Sequence, residues 1–580
     1  MWQETLQTDI CVVGGGMAGL TAAVTAARHG AKVVLMHERP VLGGNASSEI
    51  RMHICGADRA GALPNLRETG LLEEVRLDNL ARNPQQNYSI WDTLLYEKAV
   101  FTPGLTALLN CSCLDARMDG RRIASVTGWQ LTTQTFHTVR ASLFIDCSGD
   151  AILAPLTGAA FRRGREGRDE FGESIAPEHA DDRAMGMTCC FAARCYDAPQ
   201  PFTPPPWAER YPSDADLPYG ADGHHSFQMG YWWIELGGED DGIRDTERLR
   251  DALLKIVFGV WDHLKNHGDH GADNWALEWI QFLPGKRESR RFLGDHVLTQ
   301  RDIEAEGKFD DVVAYGGWTM DDHHPAGFRA ARLGFPATVF HPAPSPYGIP
   351  YRCLYSRNVD NLLFAGRNAS CTHAAMSSTR VMGTCVSMGQ AAGAAAALAA
   401  CHGALPRDLN ERIGDLRQML LRDDCYLPGA IQRFEPLTTT ARLEASAGDP
   451  APLRDGVNRP VGEDAHAWPC RPGAWVSYLF PRAAHVREAT LILDSALERN
   501  IFFSQHGDYG QLTRLPAALP KAFRLEGQRG GVWSPLQRVT DNHQRLARLP
   551  VEATLEGIRF TLDETWGSEE SRLYAFYLEE

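Results

Sequence analysis

Gly14, Gly16 and Gly19 stand in the spacing G-x-G-x-x-G, and Glu38 follows nineteen residues after Gly19. Glycines so placed leave a tight turn bare of side chains, where a backbone can approach a pyrophosphate. A carboxylate at that distance accepts hydrogen bonds from a ribose diol. The chemistry these residues serve is the holding of a dinucleotide. It requires elements that position them, and the flanking residues supply each one. Ile10-Cys11-Val12-Val13 reads as a buried strand leading into the turn. Met17 and Ala18 open a helix with Leu20, Val24 and Ala27 on one face and Gly30 past its end. Its free N–H groups and positive dipole end face the phosphates. Lys32 to Met36 is a second apolar strand, running into Glu38.

The 580 residues exceed what one core fills, so several domains are expected. A content of 44% hydrophobic and 23% charged residues is that of an ordinary globular protein. The net charge of −15 argues against nucleic acid or an anionic membrane as main partner, since both reward basic patches. The first strand begins within ten residues of Met1, with no basic and apolar leader pattern before it, and the 14 cysteines include no C-x-x-C pair. Both features lead us to expect a cytoplasmic protein with reduced thiols. Val381 to Ala400 is mostly Ala and Gly and reads as a packed helix, so no membrane span is expected.

Further along, Glu49 to Cys55 alternates apolar and polar residues, predicting a strand with Arg51, His53 and Cys55 on one side. Asp119-Gly120 marks a hairpin between 108–114 and 125–131, and Ala141 to Gly149 is another buried strand. Residues 161–340 read as an inserted, mixed α and β region with a helix at Asp245 to Asn266. Asn361 to Ala365 then predicts a strand, followed by the small-residue helix from Val381 and a helix at Asp408 to Arg422. Beyond 452 the runs Trp475 to Phe480, Thr490 to Leu493, Ile558 to Leu562 and Leu573 to Leu578 predict a small β-sandwich.

Three stretches, Gly14 to Gly44, Ile145 to Asp150 and Leu362 to Ala400, follow the order used by two-dinucleotide-fold flavoproteins. The strings LGGNASSEIRMHICGA, GKRESRRFLGD, YGIPYRCLY and LLFAGRNASCTHAAMSSTRVMGTCVSMGQAAG resemble the bacterial FAD-dependent oxidoreductase family over residues 8–425. The C-terminal part resembles discoidin-like, galactose-binding-fold modules. The resemblance implies an α/β fold: a Rossmann-like FAD-binding domain (1–160 and 341–425), an inserted α+β substrate domain (161–340), a linker (426–452) and a C-terminal β-sandwich (453–580).

It also implies FAD as cofactor. Gly14, Gly16, Met17, Ala18 and Gly19 would hold the pyrophosphate, and Glu38 with Arg39 the adenosine side. Gly43, Gly44, Asn45 and Ser48 would pass beside the flavin, and Gly149-Asp150 would close the cleft. Gly366 and Arg367 fall where the last flavin-contacting strand ends; relatives carry Asp at the second position, so a ribityl contact from Arg367 is not implied. Gly383 and Thr384 would set a helix N-terminus at the flavin N1–C2=O edge.

On this reading the activity is oxidation of a C–OH of a sugar, glycoside or polyol by hydride transfer to flavin N5. Reduction or desaturation of a small organic acid, or a carbohydrate-binding flavoprotein without turnover, is the alternative. Alcohol oxidation needs a base for the hydroxyl proton. The candidates, in order, are His373, His53 and His323. Arg287, Arg290, Arg291 and Arg380, with Arg51, are candidates for holding a substrate carboxylate or polyhydroxylated group, or the flavin phosphates; ion pairing with Glu288 and Asp295 is the structural alternative for Arg290 and Arg291. Asp321-Asp322-His323-His324 are adjacent and suit one ion poorly, so no metal is expected. Trp468, Trp475, Trp533 and Trp566 form either a sugar-stacking surface or sandwich core. The partners expected are a carbohydrate-like small molecule and an electron acceptor whose identity the residues leave open; a homo-oligomer is compatible with the sequence.

Overall fold

The turn that opens at Gly14 leaves the carboxyl end of strand β1 (Trp2–Val13) and enters helix α1 (Met17–Arg28). The chain returns through β2 (Val33–Met36), which lies parallel to β1 with Ile10 opposite Val33 and Val13 opposite Met36. The computed structural model describes residues 1–220, 226–504 and 510–580. The chain forms two units. The first is built from Met1–Gly56 and Trp91–Arg412 with a short segment from Phe503; the second from Ala57–Ile90, Ile413–Phe502 and Gln511–Glu580.

In the first unit a seven-stranded sheet adds β3 (Leu105–Leu108), β4 (Cys111–Asp119), β5 (Arg122–Gln130), β6 (Thr135–Asp146) and β7 (Leu362–Phe364). The order is β3-β2-β1-β6-β5-β4, with β7 also pairing to β6. Strands β3, β2, β1, β6 and β7 are mutually parallel; β4 and β5 form the antiparallel hairpin closed at Asp119-Gly120. Strand β6 serves both arrangements, its first half pairing with β5 and its last residues, Phe144 to Asp146, with β7. The parallel strands are apolar where both faces are covered, at Ile10–Val13, Val33–Met36, Leu143–Ile145 and Leu362–Phe364. The crevice where strand order reverses lies at the carboxyl ends of β1 and β6, where the glycine turn emerges.

Helix α3 (Met382–His402) packs on α1 through its smallest residues. A Cβ on Gly389 would overlap the carbonyl of Ala18, and one on Gly393 that of Ala22. Among the described residues α3 is the one helix long and apolar enough to cross a membrane by length and composition, and 78% of its apolar window is buried. The intervening region has its own core of Phe191, Tyr231, Trp233, Trp261 and Phe328. The Thr246–Asn266 helix packs on it through Leu249, Leu253, Ile256, Val257, Val260 and Leu264, the 3–4 spacing of one helical face.

The second unit carries an antiparallel sheet whose two longest strands, Trp475–Leu493 and Leu546–Thr565, form its spine. Trp475 to Phe480 and Thr490 to Leu493, read as separate strands from sequence, belong to one strand. Its first half pairs with Arg442–Ala445 and its second with Ser571–Glu579, with register breaks between the halves that let one strand serve two sheet edges. Tyr478, Val486, Leu491, Phe523, Phe560 and Phe576 fill the core. A buried ion pair, Arg67 to Glu73 at 2.7 Å, is completed by backbone carbonyls of Ser495 and Ala496.

Candidate functional site

The glycine turn is built as its spacing predicts. Gly14 has φ +100°, and a Cβ there would lie 2.5 Å from the Cys147 backbone. A Cβ on Gly19 would overlap the Gly14 carbonyl oxygen. Gly16 differs: a Cβ there would meet nothing nearer than Gly44 Cα at 3.9 Å. Gly16 is also the N-cap of α1 and makes no side-chain cap, so the first N–H groups of the helix face that opening. The buried Thr384 hydroxyl near the start of α3 has no protein partner among the described residues, and the N-cap of α3, Val381, also makes no side-chain cap. These features fit a bound dinucleotide: the N-terminus of α1 opens onto glycines kept clear of side chains and the Thr384 hydroxyl is unsatisfied, while Gly383 N–H at the start of α3 donates to the Cys55 carbonyl at 2.8 Å.

Around this opening most polar groups are committed to one another. Gly15 N–H donates to His37 Nδ1 at 2.9 Å, and His37 Nε2 donates to the Val41 carbonyl at 3.0 Å, so His37 braces the turn. Glu38, at the end of β2, is half exposed. Arg39 is bound to Glu49 through Nε at 3.0 Å and Nη2 at 2.5 Å. Gly43 pairs with Gly16, Asn45 donates to the Lys286 carbonyl at 3.2 Å, and Ser48 N–H donates to Asp92 at 3.0 Å. Arg367 reaches the Gly149 carbonyl at 3.0 Å and Asp150 at 3.0 Å, and Lys286 reaches Asp150 at 2.7 Å. Burial opposes the Asp150 charge, but Arg367 and Lys286 hold its carboxyl down at about 2. Arg367 therefore fastens the Gly149-Asp150 turn, and Gly366 stands with φ +103° beside Ala18. The strand expected at Glu49 to Cys55 is absent. Arg51 takes a left-handed φ of +58°, Arg51 N–H turns back to the Ser47 carbonyl and Met52 N–H to that of Asn45. The alternation there reflects a coiled loop with some residues buried, and Arg51 stacks on Trp279 with Cζ 4.5 Å from the ring centroid.

A second set of groups lies on the short strands of the intervening region. Glu235–Leu236 and Gly285–Lys286 flank Met187–Thr188, and Met320–His323 pairs with Thr338–His341. Glu235 Oε2 accepts from His323 Nδ1 at 2.7 Å and lies 3.4 Å from Arg287 Nη1. Arg287 also donates to Thr188 Oγ1 at 2.6 Å and to the Trp232 carbonyl at 3.1 Å. The same Trp232 packs edge-on against His53, with centroids 5.5 Å apart. Arg380 donates to the Asp321 carbonyl at 3.5 Å, and its buried Nε has no partner among the described residues. Burial, with Arg287 and Arg380 beside it, keeps the His323 ring below its ordinary pKa despite Glu235, so it is neutral near pH 7. With Nδ1–H given to Glu235, its Nε2 is a proton acceptor.

His373 is held differently. At the first position of α2 (His373–Thr379), its Nδ1 lies 2.8 Å from Glu288 and its Nε2 3.2 Å from Asp322. Burial disfavours a charged ring, yet the two carboxylates outweigh it and push the pKa up to about 9. Carboxylates only accept, so both ring nitrogens carry protons. The first-ranked base of the sequence reading is thus an imidazolium with no lone pair to offer. Asp322 and His323, adjacent in sequence, point to different partners, which also disperses the Asp321 to His324 cluster. Arg291 is fully buried against Glu288 and Glu166 rather than at the surface, while Arg290 reaches the Asp150 carbonyl at 3.3 Å. The 14 cysteines are all free thiols, and burial pushes Cys371 up to about 12.

Sequence reasoning passed over Glu235 and His37. Glu235 ends the aromatic run Tyr231-Trp232-Trp233-Ile234, and a lone acid in so apolar a run is the available signal. In the second unit Trp468 is buried core, Trp475 and Trp533 enclose Arg559 at 4.2 and 4.1 Å, and Trp566 lies over Lys521 at 5.4 Å.

A glycine-lined helix N-terminus at the carboxyl ends of parallel strands defines a dinucleotide-binding protein. Residues 9–420 match the family model described as FAD dependent oxidoreductase, and the chain belongs to that family, whose cofactor is FAD. Short stretches are similar to curated enzymes. One is 47% identical over 55 residues to sarcosine oxidase subunit alpha of Corynebacterium sp. (strain U-96), covering 10% of this chain and 6% of that one. Another is 55% identical over 38 residues to fumarate reductase (cytochrome) of Shewanella frigidimarina, 7% of each. These matches span under a tenth of the relatives' length. A quarter of the chain is similar, at 12% identity and TM-score 0.20, to the family 32 carbohydrate-binding module of Streptococcus pneumoniae EndoD, covering 98% of it. The family 32 module of C. perfringens NanJ in complex with galactose gives 10% identity and TM-score 0.18 over 24% of this chain and 93% of that one.

Proposed function

We propose that this protein oxidises a C–OH group of a small polyhydroxylated substrate, a sugar, glycoside or polyol, with His323 as the base. The observation that carries this reading is the Glu235–His323 pair, in which a buried carboxylate 2.7 Å from Nδ1 orients a neutral ring. His323 Nε2 takes the hydroxyl proton, and Glu235 stabilises the imidazolium that results. Bound FAD supplies the two-electron acceptor. Arg287 and Arg380 orient the substrate oxygens. His373, as an imidazolium, positions Glu288 and Asp322, and His53 packs beside Trp232.

The strand order supports reading the parallel sheet as a Rossmann-like FAD domain, Gly14, Gly16 and Gly19 on the pyrophosphate, interrupted by a substrate domain over 161–340 and followed by a sandwich over 453–580. A cytoplasmic location and a separate electron acceptor belong to the same proposal. A second reading, reduction of a C=C bond in a small organic acid, is favoured by the unsatisfied Nε of Arg380, which suits a carboxylate.

The test is the flavin spectrum under anaerobic conditions. Sugars or polyols that bleach the oxidised flavin support alcohol oxidation; reoxidation of reduced flavin by unsaturated acids, with no bleaching by any polyol, replaces it with the second reading. His323→Gln should keep the yellow colour and lower turnover by about 10²–10⁴-fold, the usual worth of a general base. Near-normal turnover in that variant removes His323 from the role.

A further inference from the structure

Asp214, His263 and His270 stand 49 and 7 residues apart in sequence, a spacing with no metal signature. The fold brings their donor atoms together. Asp214 begins the one-turn Asp214–Asp216 helix, whose reciprocal cap uses Ser213 and Asp216. His263 lies in the last turn of the Thr246–Asn266 helix, and His270 in the turn beyond it. His263 Nε2 is 3.0 Å and His270 Nε2 4.0 Å from Asp214 Oδ1, and the three donor atoms lie within 4.8 Å of one another.

We infer that these three side chains bind one divalent transition-metal cation, zinc by the chemistry of the set. The hydrogen-bond geometry suits a cation there. His263 Nδ1 is 2.7 Å from the Tyr211 carbonyl, which only accepts, so the ring proton sits on Nδ1. In a neutral ring Nε2 then presents a lone pair to the Asp214 carboxylate 3.0 Å away, one acceptor facing another. A second proton on His263 would relieve that pair alone. A metal ion relieves it and engages His270 as well. Fixing one imidazole nitrogen on a backbone carbonyl so that the other faces outward is how metal-binding histidines are oriented. Two imidazoles and a carboxylate suit zinc, with metal–donor distances of about 2.0–2.2 Å and a fourth position for water. Donors around such an ion lie about 3–4 Å apart by those distances, so the His270 ring must turn and release the contact of its Nε2 with the His267 carbonyl at 3.3 Å. Its loop lies between Gly268 and Gly271, both with left-handed φ.

The ion would tie the end of the Thr246–Asn266 helix to the Asp214 turn. Tyr211, which orients His263, packs on Phe328, and Phe328 stacks on Trp233, two residues before Glu235. The site thus braces the strand that carries the Glu235 carboxylate, but its occupancy does not rest on the proposed reaction.

The full-length protein, expressed without a histidine tag, should contain about one equivalent of zinc by mass spectrometry. After chelation it should take up about one equivalent of Zn²⁺ in calorimetry, with thermal stabilisation. His270→Gln, at the half-buried ligand, should keep the flavin and fold yet weaken Zn²⁺ binding by at least about 100-fold, and Asp214→Asn likewise. The inference is overturned if the untreated protein holds no stoichiometric metal and Zn²⁺ gives no saturable uptake. It is equally overturned if His270→Gln binds Zn²⁺ as tightly as the parent.

Discussion

His373 should hold its proton across the neutral range, and folding should depend on pH accordingly. An unfolded imidazole titrates near 6.5. Between Glu288 and Asp322 the folded ring titrates at about 9. The folded state binds this proton more tightly, so the linked stabilisation is complete below the unfolded value and is lost as pH rises through the folded one. At about 1.4 kcal/mol per tenfold difference, it amounts to about 3 kcal/mol at about pH 6, about 2 kcal/mol at about pH 7.5 and almost nothing at about pH 10. His373→Gln removes the titrating ring while keeping a side chain that hydrogen-bonds. Denaturant unfolding of the first unit, followed by the fluorescence of released FAD, reads the difference between parent and variant. The gap should be widest at the acid end and close toward about pH 10. A gap that stays constant over this range refutes the imidazolium, and one that widens with pH means the ring is neutral at pH 7.

Further variants probe the cofactor turn and the second unit. Gly16→Asp should fold with little change in stability, since the space above Gly16 is open, yet emerge colourless because its carboxylate meets the FAD phosphates. Gly19→Ala should fail at the folding step, its Cβ overlapping the Gly14 carbonyl; a yellow Gly16→Asp or a stable Gly19→Ala contradicts the geometry of the turn. In the second unit, Arg67→Met leaves the buried Glu73 carboxylate unpaired, whereas burial is now outweighed by Arg67, which holds that carboxyl at about 2. The expected loss is about 3–5 kcal/mol by tryptophan-monitored denaturation, with most of it recovered in Arg67→Met/Glu73→Leu.

The β1-α1-β2 unit was legible because everything that makes it lies within Thr8 to Glu38. Strand periodicity, the glycine spacing and the helix stop are local, and local patterns encode local structure. The same holds for the Asp119-Gly120 hairpin and for α3, whose glycines announce close packing although the partner, α1, lies more than 350 residues away. Periodicity misled at Glu49 to Cys55, where alternating burial arises in a coil because Arg51 turns left-handed. What the sequence determined by itself was therefore the dinucleotide turn, its flanking elements and the kind of cofactor they hold. Which histidine keeps a lone pair to accept a proton was decided only by tertiary structure. His373 and His323 are the same residue type in similarly polar segments, but one lies between Glu288 and Asp322 and the other on Glu235 beside two arginines. Charge acts through space, and Glu288 and Glu235 each come from more than 80 residues away along the chain, beyond the reach of any local pattern.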